Sequence, residues 1–179
     1  MKTILQSLRI LLALTALTGF LYPLAVTGLS HLAFPHTATG SLVKRGDLMV
    51  GSALLAQKTE SPAYFWPRPS AADYGTVASG ASNQGPTSDT LKKAVAERRA
   101  QFGDTAPVDL LTASGSGLDP HISPEAAKQQ AERVARERKR PLDQIESLIA
   151  QHTEGPQLGI FGEPRVNVLA LNLALDAPR

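Results

Sequence analysis

The chain has 179 residues, no Cys, 42% hydrophobic and 19% charged side chains, and 18 Lys plus Arg against 16 Asp plus Glu. That length suits one domain, and the missing Cys excludes disulfide frameworks, thiol chemistry, Cys-ligated zinc and iron–sulfur clusters. Two of the bases, Lys2 and Arg9, lie in the first 29 residues, which hold no acid, so residues 30–179 carry 16 charges of each sign. A neutral body lacks the electrostatic footprint of a nucleic-acid binder, and nucleic acid is not expected as a partner.

Residues 10–29 read ILLALTALTGFLYPLAVTGL, without a charged side chain. At about 1.5 Å per residue such a helix spans about 30 Å, the thickness of a bilayer's hydrocarbon core. The run exceeds the roughly 7 to 15 apolar residues of a signal peptide, and no A-x-A cleavage site follows. Residues 1–30 therefore read as one uncleaved N-terminal transmembrane helix. Pro23 predicts a bend, and Gly19 and Gly28 offer flat patches to a neighbouring helix. Lys2 and Arg9 before the span, against Lys44 and Arg45 offset by Asp47 after it, bias the N-terminus to the cytoplasm and the body outward.

Residues 31–47, with Pro35 and Gly40, read as a connector, leaving 48–179 as an extracytoplasmic domain of α/β or α+β type. LMVGSALLA (48–56) fits a buried strand, or a short helix given its Gly and Ala. From Ser61 to Pro86 the composition turns to Pro, Gly, Ser and Asn with no period, the pattern of a long functional loop. Ser88 then caps a helix with Leu91, Ala94, Val95 and Phe102 on one face and Gly103 as its stop. Val108 to Ala113 reads as a strand. Ser123 and Pro124 open a second helix with Ala127, Ala131 and Val134 inward, which Pro141 ends. Leu142, Ile145, Leu148 and Ile149 form a shorter amphipathic helix before Gly155 and Pro156. In 166–176 the alternation of Leu169, Leu171, Leu173 and Leu175 fits a strand, yet Asn167 equally suits the cap of a helix.

SGSGLDPH (114–121) holds the residues with chemical potential. Ser114 or Ser116 with Asp119 and His121 suggests a membrane-anchored serine hydrolase, but neither Ser has the flanking glycines of a nucleophile elbow. Ser114, Gly115, Ser116, Gly117 and His121 are also candidates for holding an anion or nucleotide, because glycines ahead of a helix expose backbone N–H groups. No Lys accompanies them, and a tight turn is the competing explanation. His31, His36, His121 and His152 are too scattered for zinc, and no acidic cluster resembles a calcium loop. Tyr64, Phe65 and Trp66 beside Arg68 form either an interface anchor or a core plug. Arg136, Arg138, Lys139 and Arg140 read as a solvated helix end, with contact to anionic lipid as the alternative.

GSALLAQ (51–57), YFWPRPSA (64–71), SGASNQGPTS (79–88), LLTASGSGLDPHISPEAA (110–127), RVARER (133–138) and GEPRVNVLALNLALD (162–176) follow one N-terminal span in this order. Together they resemble the C subunit of the bacterial Kdp potassium-transporting ATPase (the KdpC family), with Ala56 and Trp66 departing from its pattern. The resemblance implies a non-catalytic subunit of an inner-membrane complex for ATP-driven potassium uptake. Its implied partners are a channel-like potassium-translocating subunit, a P-type ATPase subunit and a small single-span subunit. It implies a role in assembly and, as a "catalytic chaperone", in raising the ATP affinity of the ATPase subunit, with no cofactor held firmly by this chain. The soluble domain is expected outside the cytoplasm, on the side from which potassium enters.

Overall fold

The computed structural model describes residues 2–177. Helix α1 (Lys2–Leu14), a π-helical segment (Thr15–Leu21) and α2 (Tyr22–Ala33) run on as one helix of 32 residues. None of its side chains is buried, and among the described residues it is the one helix long and apolar enough to cross a membrane. The bend expected at Pro23 takes the form of a register change: Tyr22 N–H donates to Leu17 O, five residues back. A proline ring clashes with the carbonyl four residues before it, and widening the preceding turns relieves that clash. Thr18 Oγ1 adds a bond back to Leu14 O at 2.7 Å.

The segment read as a connector is largely regular. It contains the end of α2, then α3 (Pro35–Ala38) and β1 (Leu42–Arg45), and β1 pairs with β2 (Leu48–Ser52) in a two-stranded sheet. The expected buried strand over 48–56 needs correction. β2 ends at Ser52, Leu48 and Met49 are 69% and 54% exposed, and only Ser52 and Ala56 are buried. Two compact units divide between Met49 and Val50.

In the second unit, α4 (Asp89–Phe102) starts where Ser88 accepts from Leu91 N and stops at Gly103 with φ 94°. Its Leu91, Ala94, Val95, Phe102 face is only half-buried, so α4 lies on the surface. The strand expected over 108–113 is instead a helical turn, α5 (Val108–Leu111). Leu110 and Leu111 are both buried, and adjacent inward side chains suit a helical turn where a strand would alternate them. Thr112 Oγ1 closes the turn on Val108 O at 2.9 Å.

β3 (His121–Ile122), β4 (Thr153–Glu154) and β5 (Arg165–Asn167) form an antiparallel sheet in the order β3-β5-β4, with Val166 between Ile122 and Thr153. α6 (Pro124–Arg138) is capped by Ser123, whose Oγ accepts from Ala126 N at 3.0 Å, and α7 (Leu142–Gln151) follows Pro141. Residues 166–176 divide between the two expectations. Val166 and Asn167 belong to β5, and Asn167 Oδ1 accepts from Ala170 N and opens α8 (Val168–Asp176). Leu171 and Leu175, one turn apart, go inward with Val168, while Leu169 and Leu173 stay half-exposed. The core joins these to Phe65, Leu110, Ile122, the small face of α6, Ile145, Ile149 and Val166. Helices gathered on a short antiparallel sheet make this mixed domain α+β.

The aromatic segment is an internal strap with no regular structure of its own. Phe65 is fully buried, and the Asn172 amide both accepts from Phe65 N (2.8 Å) and donates to Phe65 O (2.9 Å). One residue on, the buried Gln130 amide treats Trp66 the same way, at 2.8 and 3.1 Å. Two side-chain amides thus supply the hydrogen bonds a neighbouring strand would give, as buried peptide groups require. The Arg133 guanidinium lies 3.7 Å over the Trp66 ring, and burial there pulls it down to about 10, leaving it charged near neutral pH.

The reading of the basic run as a solvated helix end also needs correction. Arg136 is exposed, but Arg138 has a side chain 15% exposed that pairs with Asp176 at 2.7 Å, while Arg140 donates to Leu175 O. These cations serve the C-terminal end of α8, whose carbonyls lack partners within that helix. Lys139 holds the left-handed cap of α6 at φ 52°.

Candidate functional site

Asp119 organises the residues singled out in the sequence. Its Oδ2 accepts from Arg68 Nη1 at 3.1 Å, and its Oδ1 accepts from His121 N at 3.0 Å. Arg68 arrives on the aromatic strap, so the amide pins on Phe65 and Trp66 also fix one wall of the site. Asp109, from α5, accepts from Ser123 N at 2.7 Å and ties the cap of α6 to the opposite wall. Between them lies an open cleft of about 790 Å³, closed at one side by Glu163 and Arg165. Arg165 pairs in turn with Glu154 at 3.0 Å.

The Ser114–Gly117 turn stands elsewhere. Ser114 is buried, its N–H donates to Pro69 O at 2.9 Å, and its Oγ has no partner among the described residues. Ser116 Oγ accepts from Leu118 N, so neither hydroxyl is bonded to His121. The Asp119–His121 pair is present, with Oδ1 to Nδ1 at 3.8 Å, but the hydrolase reading is left without an assembled nucleophile. Gly115 and Gly117 do not open α6, because residues 118–123, with β3 among them, intervene. A Cβ on Gly117, which has φ 71°, would stand 2.9 Å from Gly80 O, so close packing against the 79–86 loop accounts for that glycine. Gly115 is exposed with open space around it.

Desolvation lowers the affinity of His121 for a proton, with Arg165 adding to the effect and Asp119 and Glu154 opposing it. A depressed pKa means that the unfolded chain takes up the proton first as pH falls. Stability contributed by the neutral ring is therefore present above about pH 6.5 and declines as pH drops through the lowered folded value. His121→Gln is expected to flatten the pH dependence of thermal unfolding between about pH 7 and 5, a change readable by melts at matched ionic strength.

Both aspartates are committed to backbone N–H groups, and the cleft mixes Arg68 and Arg165 with Asp109, Asp119, Glu125 and Glu163. Such a surface suits polar contact with a charged protein segment better than it suits a nucleotide phosphate. Sequence reasoning passed over Gln130, Asn172 and the Glu154–Arg165 pair; Asn172 alone carried a signal, an amide among apolar neighbours, while the others lie in polar or Gly/Pro-containing stretches. Among the described residues no cluster of His and acidic side chains has metal-ligand grouping.

These features define a single-pass membrane protein with an α+β extramembrane domain. The family model described as K+-transporting ATPase, c chain, matches residues 4–177, and the chain belongs to that family. Potassium-transporting ATPase KdpC subunits of Sorangium cellulosum, Methylococcus capsulatus and Polaromonas naphthalenivorans are 52%, 53% and 54% identical to it. The similarity covers 97%, 97% and 99% of this chain, respectively, and 96% of each relative. By that membership the chain is an accessory, non-catalytic subunit of a P-type potassium transporter.

Proposed function

We propose that the chain assembles, through its anchor and its extracytoplasmic body, with a potassium-translocating subunit, a P-type ATPase subunit and a small single-span subunit, and raises the ATP affinity of the ATPase subunit. The observation that carries this reading is similarity along the whole chain, span included, to subunits named for a potassium-transporting ATPase. Functionally the chain divides into an anchor (1–30), a connector (31–47) and a body (48–179). The charge bias around the span supports the body's placement outside the cytoplasm. A body on that side cannot touch cytoplasmic ATP, so the Ser114–Gly117 turn and His121 would not be its seat. We infer instead that the effect is a coupling free energy carried through the complex, and that occupancy by ATP strengthens this chain's association by the same factor.

The absence of Cys makes the test clean. Ser82→Cys places one thiol in the exposed 79–86 loop. In cells stripped of an outer barrier, an impermeant maleimide is expected to label it, and the labelled chain to co-purify with the ATPase subunit. Protection until the membrane is broken would put the body inside and return ATP to the 114–121 segment. Deleting residues 2–30 is expected to abolish co-purification; an intact complex without them would remove the anchor from the assembly role.

A further inference from the structure

We infer that the turn at Pro156–Gly162 is a docking tip that seats in an apolar pocket on an extramembrane surface of another transporter subunit; this rests on the assembly role proposed above and names one of its contacts. The turn is fully built. Gln157 N donates to Phe161 O at 2.8 Å, Phe161 N returns to Gln157 O at 2.9 Å, and Gly159 N donates to Pro156 O at 3.0 Å. On this closed backbone Leu158, Ile160 and Phe161 are 88%, 79% and 62% exposed. Three large apolar side chains on one rigid turn form an uncovered patch of the kind that marks an interaction site. Leu158 also holds a left-handed conformation, φ 54°, where a glycine would sit without strain. Strain and exposure therefore fall on the same residue, and neither benefits the isolated fold.

Charge selects the occupant. From Thr153 to Pro164 the segment contains no Lys or Arg; of its two acids Glu154 pairs with the next base along the chain, Arg165, at 3.0 Å, which leaves Glu163 to give the tip a net negative charge. Surface segments that enter bilayers carry Lys and Arg toward the headgroups, and a tip with no base of its own and one uncompensated acid, Glu163, lacks that attraction. The complementary site is a protein pocket with apolar walls and a basic rim.

The test uses the full chain co-expressed with the other subunits, with Ile160 replaced by the photoreactive residue p-benzoylphenylalanine. Ultraviolet irradiation is expected to give one adduct with another transporter subunit. Adducts confined to lipid or to a second copy of this chain, or none while the complex remains intact, would overturn the inference. Leu158→Gly supplies an independent arm: relief of the left-handed strain is expected to raise the Tm of the chain by a few degrees, while loss of the side chain lowers the recovered complex several-fold. A higher Tm with undiminished recovery would also reject the tip. Failure of the unaltered chain to co-purify would instead count against the assembly role itself.

Discussion

Arg138→Ala is expected to lower the unfolding free energy of the body by about 3 to 5 kcal/mol, the range for breaking a largely buried ion pair from one side. The guanidinium donates to Ala63 O, Leu175 O and Asp176, and lies 4.5 Å from the Tyr64 ring. Its removal strips the strap, α6 and α8 of their common tie. It also leaves Asp176, with a side chain only 16% exposed, without its nearest cation. Arg138→Lys keeps the charge but not the planar fork, and is expected to recover less than half of the loss. Urea titration of the detergent-solubilised chain would read this through Trp66, the only tryptophan, as a lower midpoint with an unchanged slope. A loss below about 1 kcal/mol would mean that water replaces these contacts and that the basic run is a solvated helix end after all.

Arg138 also shows where sequence stops being legible. That cations favour a helix C-terminus was readable, but the helix they serve is α8, some forty residues away, and only tertiary packing brings the two together. Elements whose cause is local were the most legible, although at Asn167 strand and helix stayed open. Ser88, Ser123 and Asn167 cap through their own side chains, and Pro124 and Gly103 mark boundaries by geometry alone. Val108–Leu111 was misread because four residues hold neither a full helical period nor a strand's alternation, and the burial of both leucines decides the conformation. At the cleft, Asp119 and His121 were visible through proximity in sequence. Arg68 came into view only as a neighbour of aromatics, since the 51 residues separating it from Asp119 carry no periodic trace of their pairing. The tip at 156–162 was hidden for another reason: exposed Leu, Ile and Phe look like core residues until the fold shows that nothing covers them.

Asn172→Leu, nearly isosteric, is expected to destabilise the body by about 2 to 5 kcal/mol, since each buried peptide group left unpaired costs about 1 to 3 kcal/mol. The side chain holds both polar groups of Phe65, and an apolar replacement releases both at once. Asn172→Asp separates the two bonds: its carboxylate still accepts from Phe65 N but faces Phe65 O without a proton to donate, so much of the loss should persist. Gln130→Leu frees the N–H and C=O of Trp66 and one partner of Arg133, and should cost a similar amount. The two sites act on adjacent residues of one strap, so the double variant should lose less than the sum of the singles: once one amide is gone, the strap can reach water at both. Since the strap carries Arg68 to Asp119, Asn172→Leu should also loosen the cleft wall, giving faster amide exchange at His121, whose N–H is bonded to Asp119. Unfolding costs that simply add, with exchange at His121 unchanged, would mean that the two amides act independently and that the strap does not transmit their loss to the cleft.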